Sequence, residues 1–117
     1  MFERGKIILV PFPFTDLSSQ KVRPALIVST AVARSEDLIV AFISSATQPK
    51  HAPTASVIIS DRDPLFKETG LKTTSVIRCD KLATLDKRIV LGELGLLASK
   101  QIQSVNRALR LALGLRR

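Results

Sequence analysis

Apolar residues occur along most of this chain in short β-branched runs separated by polar, proline-bearing stretches, and a helical period replaces that pattern only near the C-terminus. Lys6 to Phe12, Lys-Ile-Ile-Leu-Val-Pro-Phe, predicts a buried strand. Pro11 and Pro13 lack amide donors, so ladder pairing is expected to end there. Phe14 to Val22 is mostly polar and predicts an exposed loop. Pro24 biases Arg23 to extended backbone, and Ala25 to Ser29 predicts the second strand. A connection from Ala31 to Asp37 leads into a third strand, Leu38 to Ile43, which ends at the polar step Ser44-Ser45. Ala46 to Thr54, with two prolines, predicts a second loop, and Ser56 to Ser60 a fourth strand.

Asp61-Arg62-Asp63-Pro64 is turn chemistry, and a short helical turn through Leu65-Phe66 is expected to close at Gly70. Thr73 to Cys79 is β-rich, with Lys81 to Leu85 continuing it after Asp80. Asp86-Lys87-Arg88 predicts a turn and Ile89 to Gly92 a short last strand. From Ser99 the period changes: Ile102, Val105, Leu109 and Leu113 recur at helical spacing, with Ser99 placed to cap the start and Gly114 to end it. A run of short strands followed by one helix predicts a mainly β fold, a small SH3-like β-barrel with the helix packed across it. No linker, repeat or low-complexity tract divides the 117 residues, so 1–117 is expected to be a single domain.

The composition narrows the class. Hydrophobic residues make up 45%, enough for a core at this length without disulfides. The single cysteine, Cys79, fits a reducing compartment. The charged N-terminus has no signal-peptide pattern, and no apolar run approaches the ~20 residues that span a bilayer, so the expected location is the cytoplasm, with no membrane partner. Eighteen Lys plus Arg against ten Asp plus Glu leave a formal charge of +8, a field that attracts polyanions. Five Phe and no Tyr or Trp argue against an aromatic base-stacking platform.

Most catalytic chemistries lack their residues. One His and one Cys, His51 and Cys79, cannot build the usual zinc site, and no CxxC, HExxH or glycine-rich phosphate loop occurs. The acidic pairs Asp61/Asp63 and Asp80/Asp86 read as turn residues rather than a magnesium site. Cys79 lies in an apolar β-rich run where a buried, inert thiol is expected. No cofactor is expected. What remains is polar chemistry at strand ends: Arg23 where the first loop enters the second strand, Ser44 where the third strand leaves. If the two loops lie side by side, Lys21, Arg23, Ser44, Ser45 and Gln48 would line one groove.

The stretch Gly5 to Leu17, the Arg23-Pro24 step with Ala25 to Ser29, Ala41-Phe42-Ile43-Ser44-Ser45, Ser75 to Lys87 and the terminal helix together resemble the MazF/PemK growth-inhibitor toxins over nearly the whole chain. The resemblance implies an SH3-like barrel homodimer and a metal-independent endoribonuclease acting on single-stranded RNA. It also implies a type II toxin–antitoxin module whose cognate antitoxin covers the RNA groove with an acidic tail, with DNA reached only through the antitoxin complex. It implies that Arg23 is catalytic, that Ser44 assists it, and that Asp80 and Lys81 touch RNA. Position 44 is Ser where the better-known pattern has Thr, which retains the hydroxyl. The loop Ser18-Ser19-Gln20-Lys21-Val22 lacks the Glu that many members carry before the arginine.

In this chemistry the RNA 2′-hydroxyl is the nucleophile, and the products are a 2′,3′-cyclic phosphate and a 5′-hydroxyl. The protein supplies geometry and charge stabilisation. A guanidinium suits that task because its planar fork grips two phosphate oxygens and stays charged. Two other functions fit a barrel of this kind: a catalytically silent nucleic-acid-binding barrel, and a CcdB-like gyrase poison. The terminal Leu115-Arg116-Arg117 lacks the Trp-Gly-Ile ending of the latter.

Overall fold

The computed structural model describes residues 2–12, 21–30, 36–45 and 55–116. Six antiparallel strands form one curled sheet: β1 Lys6–Phe12, β2 Lys21–Ile27, β3 Asp37–Ser45, β4 Ser56–Ile59, β5 Ser75–Asp86 and β6 Gly92–Leu96. Their spatial order is β4-β5-β3-β2-β1-β6. The sheet is a half-barrel, and one helix, α1 Ser99–Leu113, follows it.

Strand alternation buries both faces. Ile7, Leu26, Ala41, Ile43 and Ile77 point to one side, where α1 seats Val105 and Ala108 against them. Their sequence neighbours Ile8, Ala25, Ile27 and Val40 point to the other side and pack with Leu38 and Leu85. This is why the strand segments read as continuous apolar runs rather than alternating ones.

The expected elements are present with shifted ends. β2 begins at Lys21 rather than Ala25, because the β1 ladder runs through Pro11↔Val22 to Phe12↔Lys21. Pro11 therefore lies within the ladder it was expected to end, and Pro13 is outside the described residues. The two predicted segments after Thr73 are one twelve-residue strand, β5. Its register against β3 shifts between Ala41↔Leu82 and Phe42↔Arg78, so Cys79, Asp80 and Lys81 form a bulge.

The last strand is Gly92–Leu96 rather than Ile89 to Gly92. Ile89, the last residue of the 3-10 helix Lys87–Ile89, and Val90 just after it instead pack on the second apolar cluster. A glycine-bearing Gly-Glu-Leu-Gly-Leu segment carries weak intrinsic strand signal. It is a strand because the edge of β1 pairs with it.

Two close approaches complete the barrel-like curl. A second 3-10 helix, Lys67–Thr69, ends at Gly70 in the left-handed region and lies directly against β6. A Cβ at Gly95 would sit 2.2 Å from the Glu68 carbonyl oxygen, and one at Gly70 2.2 Å from that of Leu94. Helix α1 has Ala98 rather than Ser99 at its N-cap position, and the Gln101 side chain accepts the Ala98 N–H at 2.8 Å. Its C-terminus closes at Gly114 (φ 68), with Leu115 N–H bonded to the Arg110 carbonyl, a Schellman end. Arg4 ties the chain start to this helix by donating to the Val28 carbonyl and to Asn106 Oδ1. Among the described residues, no helix is long and apolar enough to cross a membrane.

Candidate functional site

The β2–β3 ladder pairs Ile27↔Val40, Leu26↔Ala41 and Ala25↔Phe42. Arg23 lies two residues before Ala25 on β2 and Ser44 two residues after Phe42 on β3, so strand alternation sets each on the face of that rung. Arg23 also faces Val10 of β1, Lys21 faces Phe12, Phe42 faces Arg78 and Ser44 faces Val76. One end of the second sheet face therefore carries Phe12, Lys21, Arg23, Phe42, Ser44 and Arg78.

Both rings are apolar neighbours of this cationic patch. Phe12 and Phe42 meet edge to face with centroids 5.1 Å apart. Lys21, Arg23 and Ser44 are exposed, and among the described residues neither Lys21 nor Arg23 is in an ion pair. Unspent cationic donors at the end of a rigid ladder suit a ligand phosphate.

The β5 bulge adds a carboxylate to this face. Arg78 donates from Nε to Asp80 Oδ1 at 2.9 Å and from its terminal nitrogen to Oδ2 at 2.7 Å. That fork holds the Asp80 carboxyl below its ordinary range and keeps Arg78 charged. Arg78 was not singled out from the sequence. The signal available there was its position one turn of the pleat from Asp80, two residues apart on one strand. Lys81 is exposed on the same bulge.

Ser45 does not join Ser44. It lines a cleft of about 360 Å³ on the opposite sheet face, with Val22, Pro24, Leu71, Lys72 and Thr73. The strand period of two separates these neighbours. The sequence-based groove that joined all of Lys21, Arg23, Ser44 and Ser45 thus divides between two faces. Gln48 and His51 lie outside the described residues.

Cys79 is fully buried, and desolvation, with the Asp80 charge, pushes its thiol up to about 11. Such a thiol is a poor nucleophile at neutral pH. Among the described residues, no group of three or more His, Cys, Asp and Glu could hold a metal ion.

The fold is a half-barrel that exposes an arginine in no ion pair among the described residues, in a basic chain of formal charge +8. Residues 3–113 match the PemK-like, MazF-like toxin family of type II toxin–antitoxin systems, and the chain belongs to that family. Its fold is similar to that of a mycobacterial endoribonuclease in complex with its cognate antitoxin (TM-score 0.75, 22% identity, covering 100% of this chain and 99% of that one). It is also similar to the Mycobacterium tuberculosis toxin MazF-mt6 (TM-score 0.72, 22% identity, covering 97% and 100%). A third similar fold is that in a MazE-MazF crystal from Deinococcus radiodurans (TM-score 0.73, 19% identity, covering 98% of each chain). No curated protein sequence matches the chain.

Proposed function

We propose that this chain is the toxin of a type II toxin–antitoxin module and cleaves single-stranded RNA by metal-independent transfer to the 2′-hydroxyl. The observation that carries the reading is an exposed Arg23 on the same sheet face as the exposed Ser44, the guanidinium in no ion pair among the described residues. Arg23 grips the scissile phosphate through its planar fork and stabilises the charge that builds on the phosphorane-like transition state. Ser44 donates a hydrogen bond to the same phosphate. Lys21 holds a neighbouring phosphate.

Asp80 is an ionised carboxylate on this face and accepts the 2′-hydroxyl proton; as the P–O2′ bond forms the P–O5′ bond breaks, and the departing 5′-oxygen takes a proton from Arg23, which water restores. The depressed pKa of Asp80 makes it a weak base, so most of the acceleration rests on Arg23 and on positioning. Lys81 contributes to the basic field around it. The +8 charge also suits an antitoxin with an acidic tail, and the working toxin is read as a homodimer in the cytoplasm. This places an inhibitor and a substrate of like charge in competition for one face.

The test is incubation of the purified protein with a defined single-stranded RNA in the presence of EDTA, followed by mapping of the fragment ends. Fragments with 2′,3′-cyclic phosphate and 5′-hydroxyl ends are expected. Binding that weakens with salt but leaves the RNA whole would favour the silent binder instead.

A further inference from the structure

A second feature lies at the edge of the sheet, with β5 and β3 between it and Arg23. Three consecutive residues of β4, Val57, Ile58 and Ile59, line a cleft of about 520 Å³. Alternate residues of a strand point to opposite faces, so a cleft lined by consecutive residues runs along the strand's edge. β4 is the edge strand and is paired to β5 alone among the described residues. The turn carrying Arg62 forms one wall, and the first turns of α1, carrying Lys100 and Gln101, form the other.

Three details give this cleft a chemical preference. Gln101 is 6% exposed, its Oε1 is committed to the Ala98 N–H, and its Nε2 has no partner among the described residues. The orphaned group is therefore a pair of donors, and it calls for an acceptor oxygen. Arg62 and Lys100 are exposed and in no ion pair among the described residues. The first turn of α1 has no acidic residue, and Lys100 sits there against the positive end of the helix dipole. The lining has one carboxylate, Asp63, whose Oδ1 is turned to its own backbone and accepts the Leu65 N–H at 2.8 Å.

We propose that this cleft docks an extended acidic peptide, with a carboxylate seated between Arg62, Lys100 and the Gln101 amide and the peptide backbone paired along β4. The apolar flanks favour a peptide over RNA. Ile58, 42% exposed, and the half-buried Val57 offer contact to apolar side chains of an added strand, which a phosphate backbone cannot use. The site is separate from the RNA face and does not depend on RNA cleavage.

The probe is an acetylated hexapeptide of alternating Asp and Val, titrated into the ¹⁵N-labelled protein and followed by amide shifts. Saturable shifts are expected at the Gln101 side-chain amide and at the backbone amides of Val57–Ile59. The Arg62→Ala/Lys100→Ala double variant changes exposed side chains, keeps its fold, and should weaken binding by at least about tenfold. Arg23→Ala should leave it unchanged. The proposal is overturned by any of four results: no saturable shift at these amides; equal binding of the hexapeptide with Asn in place of Asp; loss of binding in Arg23→Ala; or displacement of the peptide from these amides by a short uridine oligonucleotide. Concentration-dependent shifts of the same amides without peptide would assign the edge to a second copy of the chain and also overturn it.

Discussion

Replacing Gly95 by alanine tests what closes the half-barrel. The backbone at Gly95 is not in the left-handed region, so the substitution carries no φ strain, and its effect isolates close approach. The added methyl would lie 2.2 Å from the Glu68 carbonyl oxygen, 2.5 Å from the Thr69 carbonyl carbon and 2.6 Å from the Thr69 oxygen. All three are backbone atoms and cannot rotate away. Ordinary carbon–oxygen contact needs roughly 1 Å more, so β6 and the 3-10 helix Lys67–Thr69 must part by about that distance. Overpacking a fitted contact costs about 1–3 kcal/mol, and parting these two elements also loosens Leu94 and Leu71 from the first apolar cluster, so the expected loss is about 2–4 kcal/mol. At roughly 3–5 °C per kcal/mol for a chain of this size, the midpoint falls by about 10 °C. Thermal unfolding followed by circular dichroism measures this, with Gly92→Ala as the control. Gly92 lies on the same strand, its added Cβ meets only Leu9 Cδ1 at 3.7 Å, and it should be neutral within about 0.5 kcal/mol. A Gly95→Ala midpoint within about 2 °C of wild type would mean that the contact does not hold the curl closed.

Arg23→Ala and Ser44→Ala should each slow RNA cleavage by about 10²–10³-fold without moving the thermal midpoint, whereas Ser45→Ala, on the other sheet face, should cleave at the wild-type rate; single-turnover assays on one RNA decide between these, and an impaired Ser45→Ala would break the two-face division. Arg88 holds Asp86 at about 2, and Arg78 lowers Asp80, so both bind protons more weakly in the folded chain than in the unfolded one. The stability they contribute is complete above the ordinary carboxylate value of 3.8 and is lost as pH falls from there toward 2. Urea midpoints across that range should fall less steeply for Asp80→Asn/Asp86→Asn than for wild type; parallel slopes would remove these pairs from acid unfolding. Native Cys79 should remain unreacted with a thiol reagent at pH 8 and react in urea, and rapid native labelling would contradict its burial.

Local patterning carried a large part of this molecule. The β-branched run at Lys6–Phe12, the helical period of Ile102, Val105 and Leu109, and the left-handed stop at Gly114 all express short-range preferences, and each stands where the sequence puts it. Arg23 and Ser44 were legible as polar residues where apolar runs stop, although Arg23 lies within β2 rather than at its end. Ser45 and Arg78 were not, because which face a residue serves depends on register, and register depends on pairing with a strand elsewhere in the chain. The same holds for β6: Gly92–Leu96 has little strand preference of its own and is ordered by the β1 edge, while the more strand-like Ile89 and Val90 are drawn to the second apolar cluster. The sequence by itself determined the class of fold and the basic character. The tertiary structure alone decided the β5 bulge that brings Asp80 to Arg78, and the edge cleft lined by the buried Gln101 side chain. Both arise from contacts between segments far apart in the chain, whose energies no local propensity contains.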